Sequence, residues 1–452
     1  MGRWLHALST ATTALFLSLG QAGCAGHESR VQNALAALNE GKPAQAAAHL
    51  NEEMKVGSND ELPQLTGDNP LLLLDRGNIL LAMDRNKLSA RDLGAADKSI
   101  DMLDMSRTAV DEIGKYIFSD DSGPYRAPPH EKLLINTINL MNYLALGDLS
   151  GAKVEARRLA IMQKYLRDHE ETTALIGLGS YLAGFAFEKS GGASEALLYY
   201  DDALRYAQYP SLRDPLRTLV RDEPKSPGIK ALIGGAGPLP SVAETGEAEL
   251  LVVVGFGRSP RKVPNRIPIG LALTILANDI SPADRAQANA LAAKGLVTWV
   301  NYPTLTAARG SYTIPTFSLD GAPVRMEQAI DIEAEVRKAW RKVEGTVILS
   351  ALTRTITRVV AGEVVQGVTQ AVDKDSGPLG LLLGLLTSAT LTVADTPDTR
   401  AWSTLPAQIA ISRIRVPAGQ HELVLSARNV TKRARLNLRP GGWAFVPMMA
   451  LR

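Results

Sequence analysis

Cysteine is almost absent from this sequence: Cys24 is the only one in 452 residues. A single thiol excludes an internal disulfide and leaves no thiolate cluster for a structural zinc site. Aromatic residues make up only 5% of the chain, which argues against a sugar-binding cleft lined with rings. The formal net charge of +2 gives no indication of nucleic-acid binding.

Catalytic and cofactor signatures are also missing. The sequence contains no GxxxxGK[ST], HExxH or GxSxG pattern, and its histidines lack metal-ligand spacing. Gly255 and Gly257 follow an apolar run, but Pro260 stands where a dinucleotide fingerprint has its third glycine. Glu333 and Glu335 alternate in a segment predicted to be a strand, and we interpret them as a solvated face rather than a glycosidase pair. We therefore predict a protein that is not an enzyme and holds no cofactor or metal.

The N-terminus has the three parts of a secretory signal. Arg3 is the one charged residue before the cysteine, and the thirteen residues of Ala7–Leu19 carry no charge. Two small residues then directly precede Cys24. The apolar run is shorter than the roughly 20 residues that a membrane-spanning helix needs. We therefore predict export of the chain.

Residues 1–23 resemble a bacterial lipoprotein signal, whose mature chain begins at a lipid-modified cysteine, here Cys24. Gln21 departs from that pattern, in which a larger aliphatic residue is usual. Because Ala25 rather than aspartate follows the cysteine, the resemblance implies the outer membrane, facing the periplasm. Acyl chains such as palmitate contribute roughly 0.8 kcal/mol per buried methylene, so several chains anchor a protein effectively permanently. An ordinary signal peptide with an incidental Cys24 is the alternative.

Residues 24–215 are predicted to be helical. From Arg30 to about Tyr209, apolar residues recur every three or four positions, which is typical of amphipathic helices. In three places a turn glycine between two helices is followed five residues later by alanine. These pairs are Gly41 and Ala46, Gly147 and Ala152, and Gly191 and Ala196. The glycine permits the turn, and the alanine lets the two helices approach closely.

The third unit resembles a tetratricopeptide repeat. Its small and large positions are Gly184, Phe187, Ala196, Tyr200 and Ala203. A fourth unit is predicted within residues 71–103. Gly147 to Gly191 is 44 residues, where a regular array has about 34, so a helical bundle without repeats is the alternative. Either scaffold offers a face for a protein partner.

The second half mixes strands and helices. Residues 216–247 are rich in glycine, proline and small residues and are predicted to form a linker. Residues 248–452 begin with the β-branched strand Glu249–Phe256, and hairpins are predicted at Pro417–Gly419 and at Pro440–Gly442. The predicted fold class is α+β: tetratricopeptide-like helical repeats, then a mixed α/β domain with strand hairpins and an inserted helical pair. The two helices of that pair are predicted at Ile269–Asp279 and Pro282–Gly295.

Residues 377–394 form an uncharged stretch of 18 residues, at the lower limit for a membrane span. Pro378, Gly380 and Gly384 weaken a spanning helix. We therefore predict a helix packed against the preceding helical stretch, which runs from about Trp340 to Val372, with a second membrane contact as the alternative.

Four cations lie within nine residues after the first predicted strand: Arg258, Arg261, Lys262 and Arg266. A loop this basic suits an anionic partner such as a lipid headgroup, the carboxylates of peptidoglycan stems or an acidic protein surface. A solvated loop without a partner is the alternative.

Asp398, Arg400 and Trp402 stand close together before a later strand. The structural interpretation is a corner in which the arginine pairs with the aspartate and stacks on the tryptophan. The alternative is a recognition site that uses Arg400 and Trp402.

The same stretch resembles a family of bacterial lipoproteins of largely uncharacterised function. That family carries AD-T-R-x-W-x-x-L-P and then P-x-G-x-H, and it combines tetratricopeptide-like helices with a C-terminal mixed domain. The matching residues are Asp398, Thr399, Arg400, Trp402, Leu405 and Pro406, then Pro417, Gly419 and His421. An extra Thr-Pro-Asp leaves open which aspartate matches. The resemblance implies an envelope location and no activity.

We expect a scaffold or adaptor in cell-envelope assembly, anchored in the outer membrane through its lipid. A protein partner would dock on the helical repeats, and nucleic acid would not be a ligand. By analogy the partner belongs to envelope-assembly or peptidoglycan-synthesis machinery. The alternatives are an envelope enzyme acting on glycan or peptide, and an accessory protein of secretion or surface-polysaccharide export.

Overall fold

The computed structural model describes residues 26–102, 125–168, 174–220, 226–276, 280–293, 299–307, 312–372 and 397–452. Two predicted features lie outside the described residues: Cys24 with its signal peptide, and the uncharged stretch 377–394. Among the helices that are described, none combines the length and the apolar character needed to cross a bilayer.

The first half consists of helical hairpins over its described residues. They are α1 (His27–Asn39) with α2 (Pro43–Met54), α3 (Asn69–Ala82) with α4 (Asn86–Ser99), α5 (Pro129–Ala145) with α6 (Leu149–Asp168), and α7 (Leu175–Lys189) with α8 (Ala193–Tyr206). A short parallel ladder pairs β1 (Asp101–Met102) with β2 (Arg126–Ala127). The prediction of a helical first half, including the fourth unit, is confirmed.

The turns of three hairpins depend on glycine. Gly41, Gly147 and Gly191 have φ angles of 77°, 69° and 85°, in the left-handed region that glycine enters without steric cost. The alanines five positions later are fully buried at the crossing of the two helices; they are Ala46, Ala152 and Ala196. The predicted roles of glycine and alanine are therefore confirmed.

Short helices lead into the second half. They are a 3₁₀ turn (Pro210–Leu212), α9 (Arg213–Leu219), α10 (Pro227–Ile233) and α11 (Val242–Thr245). The strands that follow are β3 (Glu247–Phe256), β4 (Lys262–Pro268), β5 (Trp299–Leu305), β6 (Thr316–Leu319), β7 (Ala322–Val324), β8 (Glu327–Asp331), β9 (Gln408–Pro417), β10 (Gly419–Ala427), β11 (Val430–Leu438) and β12 (Trp443–Ala450). Helices α12 (Ile269–Ile275) and α13 (Pro282–Ala293) lie between β4 and β5, and α14 (Ile332–Val372) follows β8.

Two four-stranded sheets organise this half, with orders β12–β3–β9–β8 and β11–β10–β6–β7. Strand β12 runs parallel to β3, and the other ladders of both sheets are antiparallel. Strand β3 is buried on both faces: Leu251 and Val253 join the core of the helices, while Leu250 and Val252 join a core shared with the second sheet. The first sheet is therefore a middle layer between the helices and the second sheet.

The inner helices of the hairpins pack on the first sheet. Helices α3 and α5 contact β12, and α7 contacts β8. Phe185 on α7 meets Trp443 on β12 edge to face, with ring centroids 5.6 Å apart. The inner face of the helical array is thus covered by the protein's own sheet.

The two hairpins predicted in the last third are wrong. Strands β9 and β10, on either side of Pro417–Gly419, belong to different sheets, and so do β11 and β12 around Pro440–Gly442. The proline and glycine signals therefore mark corners between layers. A hairpin instead joins β10 and β11, where Arg428 and Asn429 have φ angles of 49° and 63°. Positive φ at both central residues is the requirement of a type I′ turn.

The inserted helical pair is confirmed, and it builds a separate small core. Strands β4 and β5 pair antiparallel, and their buried residues pack with α12, α13 and α14. The strand predicted at Glu333 and Glu335 is wrong, because α14 begins at Ile332 and both carboxylates occupy its first turn. Acidic residues there interact favourably with the helix dipole.

Candidate functional site

The segment from Pro397 to Ala407 connects the helices to the first sheet. Arg400 and Asp398 form a bidentate pair: Arg400 Nε and Nη2 donate to the two carboxylate oxygens, each at 2.9 Å. The guanidinium also lies 3.6 Å from Asp68 beside α3 and 5.9 Å from the ring centroid of Tyr125. The predicted arginine–aspartate pair is confirmed, and the segment is fixed against the helices through it.

Glu131 on α5 holds the middle of this segment. Its carboxylate accepts a 2.5 Å hydrogen bond from the Tyr125 hydroxyl and a 3.4 Å hydrogen bond from the backbone amide of Trp402. Trp402 is buried, and its Nε1 has no hydrogen-bond partner. The tryptophan is thus placed in the interior between the two halves, where its ring contributes buried apolar area.

Helix α3 holds the end of the segment. The Thr404 amide donates to Asp75 Oδ1 at 2.7 Å, and Asn78 Nδ2 donates to the Thr404 carbonyl at 3.1 Å. His27 Nε2, at the start of α1, lies 3.9 Å from Asp75 Oδ2. Neither ring nitrogen of His27 nor Asp75 Oδ2 has a hydrogen-bond partner, although both residues are 1% exposed.

Burial shifts the titration of these groups in opposite directions. It raises the pKa of Asp75 to about 7 and raises the pKa of Glu131 above its ordinary value. It lowers the pKa of His27 to about 3, with the positive charge of Arg30 acting in the same direction. Burial also acts to raise the pKa of Asp398, but Lys262 and Arg400 outweigh it and the pKa is lowered. The interface therefore holds a neutral imidazole beside a carboxyl that titrates near neutrality.

The four predicted cations lie in different surroundings. Arg258 is 7% exposed and donates to the Leu35 carbonyl and to Asn39 Oδ1 on α1. Arg261 pairs with Glu28 at 3.0 Å, and Lys262 lies near enough to Asp398 to lower its pKa. Arg266 is exposed at the far end of β4, with its guanidinium carbon 5.2 Å from the Trp299 ring centroid. Arg258 and Arg261 attach the strand to α1, and Arg266 faces solvent.

A small cleft adjoins the segment. Its empty volume, including its open mouth, is about 340 Å³. The lining residues are Arg258, Ser259, Pro260, Arg261, Thr306, Ala307, Glu333 and Ser403. Ser259 Oγ is buried there without a hydrogen-bond partner, while the Ser259 amide donates to the Leu405 carbonyl at 2.7 Å. The cleft brings the predicted cations Arg258 and Arg261 beside the segment that carries Arg400 and Trp402.

Sequence reasoning missed a buried ion network between α7 and the first sheet. Arg413 on β9 donates to both oxygens of Glu188 at 2.7 and 2.8 Å and to Glu249 at 2.6 Å. Lys189 pairs with both carboxylates. The Arg413 guanidinium carbon lies 4.9 Å from the Phe185 ring centroid. The arginine stands in an alternating strand pattern, which gives no sign of partners 225 residues away.

These contacts join the two halves of the chain. In the parts of the chain that the structure describes, no three His, Cys, Asp or Glu side chains are grouped so as to hold a metal ion. Comparison of the chain with protein-family models, with curated proteins and with solved structures finds no match.

Proposed function

We propose that this protein is a binding scaffold of the bacterial cell envelope, anchored to the outer membrane through a lipid on Cys24 and facing the periplasm. Its partner docks on the outward helices of the hairpins. The supporting observation is that the first sheet covers the inner helices, so the outward helices carry the free surface of the array.

Helix α6 offers a distinctive outward face. Val154, Arg157, Ile161 and Lys164 are spaced by three or four residues, so they lie on one side of the helix, and all four are exposed. Ile161 is 70% exposed and Val154 is 45% exposed, so this face carries an apolar strip that a partner helix would cover. The two cations beside it favour an acidic partner.

Helix α8 lies beside α6 and extends this surface. The Tyr199 hydroxyl donates to the Ala156 carbonyl at 3.4 Å, and Arg167 pairs with Asp202 at 3.2 Å. Leu198, one turn before Asp202, is 73% exposed. The occupant we propose is an acidic amphipathic helix of a partner protein, whose apolar side covers Ile161 and Leu198.

Site-specific photo-crosslinking in living cells tests the docking surface. A benzophenone side chain at Ile161 or Leu198 should capture one partner, and mass spectrometry should locate the crosslink in an acidic amphipathic segment. The double variant Arg157→Glu, Lys164→Glu should abolish the product. The matched control is the exposed Gln45 on α2, where no product is expected. Equal capture at Gln45, or capture that survives charge reversal, would contradict the proposed surface.

The membrane anchor has its own test. Metabolic labelling with a clickable fatty acid should mark the wild-type chain and leave Cys24→Ala unmarked. Label on both chains would exclude Cys24 as the attachment point. Separation of inner and outer membranes then checks whether the labelled chain is in the outer membrane, as predicted.

A further inference from the structure

The inserted module ends in an exposed apolar patch. Trp299, Leu271 and Ile275 are 41%, 49% and 48% exposed, and Arg266 beside them is exposed as well. We call these four residues the tip patch. Trp299 and Pro268 are paired across β4 and β5, and α12 begins at the next residue, so the members lie at one end of the module.

Helix α12 is apolar on both of its faces. Ile269, Ala272 and Leu273 face the small core, whereas Leu271 and Ile275, one turn apart, face outward. A helix that is apolar all round requires cover on both sides. Among the described residues, the module's core contacts lie on the inner face of α12.

Arg266 supplies a positive charge at the tip patch. It is the one charged residue in residues 263–276 and 299–307, and a carboxylate of the module that the structure describes, Glu344 on α14, acts upon Tyr302. Arg266 lies 5.2 Å from the Trp299 ring centroid. An arginine and a tryptophan beside aliphatic side chains suit the headgroup level of a bilayer, and cations there are attracted to anionic lipids.

We propose that the tip patch docks on the surface of an anionic lipid bilayer. Leu271, Ile275 and Trp299 enter the interfacial region, and Arg266 contacts lipid phosphates. An acidic protein surface would match the charge alone, whereas exposed Leu, Ile and Trp side chains beside an arginine match both the apolar and the charged part of a bilayer interface.

The position of the patch agrees with a lipid anchor at Cys24. Glu28, four residues beyond Cys24, pairs with Arg261 at 3.0 Å, and β4 begins directly after Arg261. The seven residues of β4 span about 23 Å, so about this distance separates the tip patch from the Glu28–Arg261 pair. This relation to the anchor rests on the proposed function, whereas the docking of the patch does not depend on it.

A local fluorescent probe tests the docking. In the full chain carrying Cys24→Ala, Leu271→Cys provides the only thiol and takes a nitrobenzoxadiazole label. Vesicles containing phosphatidylglycerol should shift its emission to the blue and raise it roughly twofold or more, and phosphatidylcholine vesicles should leave it unchanged. Leu198→Cys in the same background is the matched control and should not respond to either vesicle.

Charge reversal makes the test specific. Arg266→Glu should weaken the vesicle response of the labelled chain by about tenfold or more, and Arg205→Glu on α8 should leave it unchanged. The docking is overturned by a silent probe at position 271, by an equal response at 198, or by an emission shift without vesicles that grows with protein concentration. The last result would assign the patch to a second copy of the chain. Because Cys24→Ala carries no lipid, none of these results depends on the anchor.

Discussion

Asp75 on α3 accepts a 2.7 Å hydrogen bond from the backbone amide of Thr404, which lies 329 positions later in the chain. Asn78, one turn further along the same helix, donates to the carbonyl of that same threonine. Both backbone groups of a buried loop residue are thus satisfied by side chains of one helix, as burial requires. The helices and the sheets therefore depend on each other for stability.

Asp75→Asn should remove a loss of folding stability that grows as the pH rises from 4 to 7. Burial raises the folded pKa of Asp75 to about 7 from an ordinary 3.8, so between these values only the folded chain holds this proton. The stability from this group is present below pH 4 and is lost as the pH rises to 7, by about 1.4 kcal/mol per pH unit. We expect the two chains to be similar near pH 4 and the asparagine chain to gain an advantage towards pH 7.

Urea unfolding at several pH values measures this difference. Asp60→Asn, at an exposed position, controls for the amide substitution itself. A difference between wild type and Asp75→Asn that stays constant from pH 4 to pH 7 would show that the Asp75 carboxyl is ionised in the folded chain throughout that range.

His27→Leu should show the opposite pH dependence. The folded pKa of His27 is lowered to about 3 from 6.5, so below pH 6.5 the unfolded chain binds a proton that the folded chain does not. The wild type therefore loses stability as the pH falls, by about 1.4 kcal/mol per unit. Leucine has no such loss, and it replaces two buried ring nitrogens that lack partners. In the same urea titrations, the stability of the variant relative to wild type should increase from pH 7 to pH 4. A variant less stable than wild type at pH 5 would contradict a neutral His27 imidazole without hydrogen-bond partners.

Local patterns were sufficient to predict the helical half. Glycine and alanine at fixed separation specify a turn and a close crossing, because backbone freedom and side-chain size act within one hairpin. The pairing of strands is not local. Pro417 and Gly419 mark a change of direction, but whether the next strand pairs with the last or moves to another sheet depends on which apolar faces must be buried. The two hairpin predictions failed for that reason.

In the candidate site, too, only contacts between residues close in sequence were predictable. The Asp398–Arg400 pair was predictable because its members are two residues apart. The partners of Arg258, Arg261 and Arg413 lie on distant helices, and a cation in a loop or a strand has the same sequence pattern whether it is solvated or buried. Only the packing of the helices on the sheet supplies Asn39, Glu28 and Glu188 as partners.

Arg413→Met should destabilise the protein strongly. The substitution leaves Glu188 and Glu249 buried with Lys189 as their remaining cation, and loss of one partner from a buried ion pair costs about 3–5 kcal/mol. Arg205→Met removes an exposed arginine from its i, i+4 pair with Asp201 and should cost about 0.5 kcal/mol or less.

Chemical denaturation measures the free energy of unfolding of Arg413→Met and of Arg205→Met. Arg413→Lys retains a charge without the planar geometry that reaches both carboxylates, so its stability should fall between wild type and Arg413→Met. If Arg413→Met does not fold, the lysine variant still carries the test. Similar losses for Arg413→Met and Arg205→Met would show that the buried network adds little to stability, and a small loss for Arg413→Lys would show that the planar geometry is dispensable.

Gly184→Ala should be destabilising although alanine is the better helix former. A Cβ at Gly184 would lie 2.6 Å from two ring carbons of the fully buried Tyr200, so α7 and α8 would have to separate. Overpacking of this kind costs about 1–3 kcal/mol, more than the roughly 1 kcal/mol that alanine gains over glycine in a helix. Gly345→Ala on α14 is the matched control, because no atom lies within 4 Å of its added Cβ, and it should be stabilising. Thermal unfolding of the two variants should therefore shift the melting temperature in opposite directions, and a rise for both would mean that Tyr200 can move aside without loss.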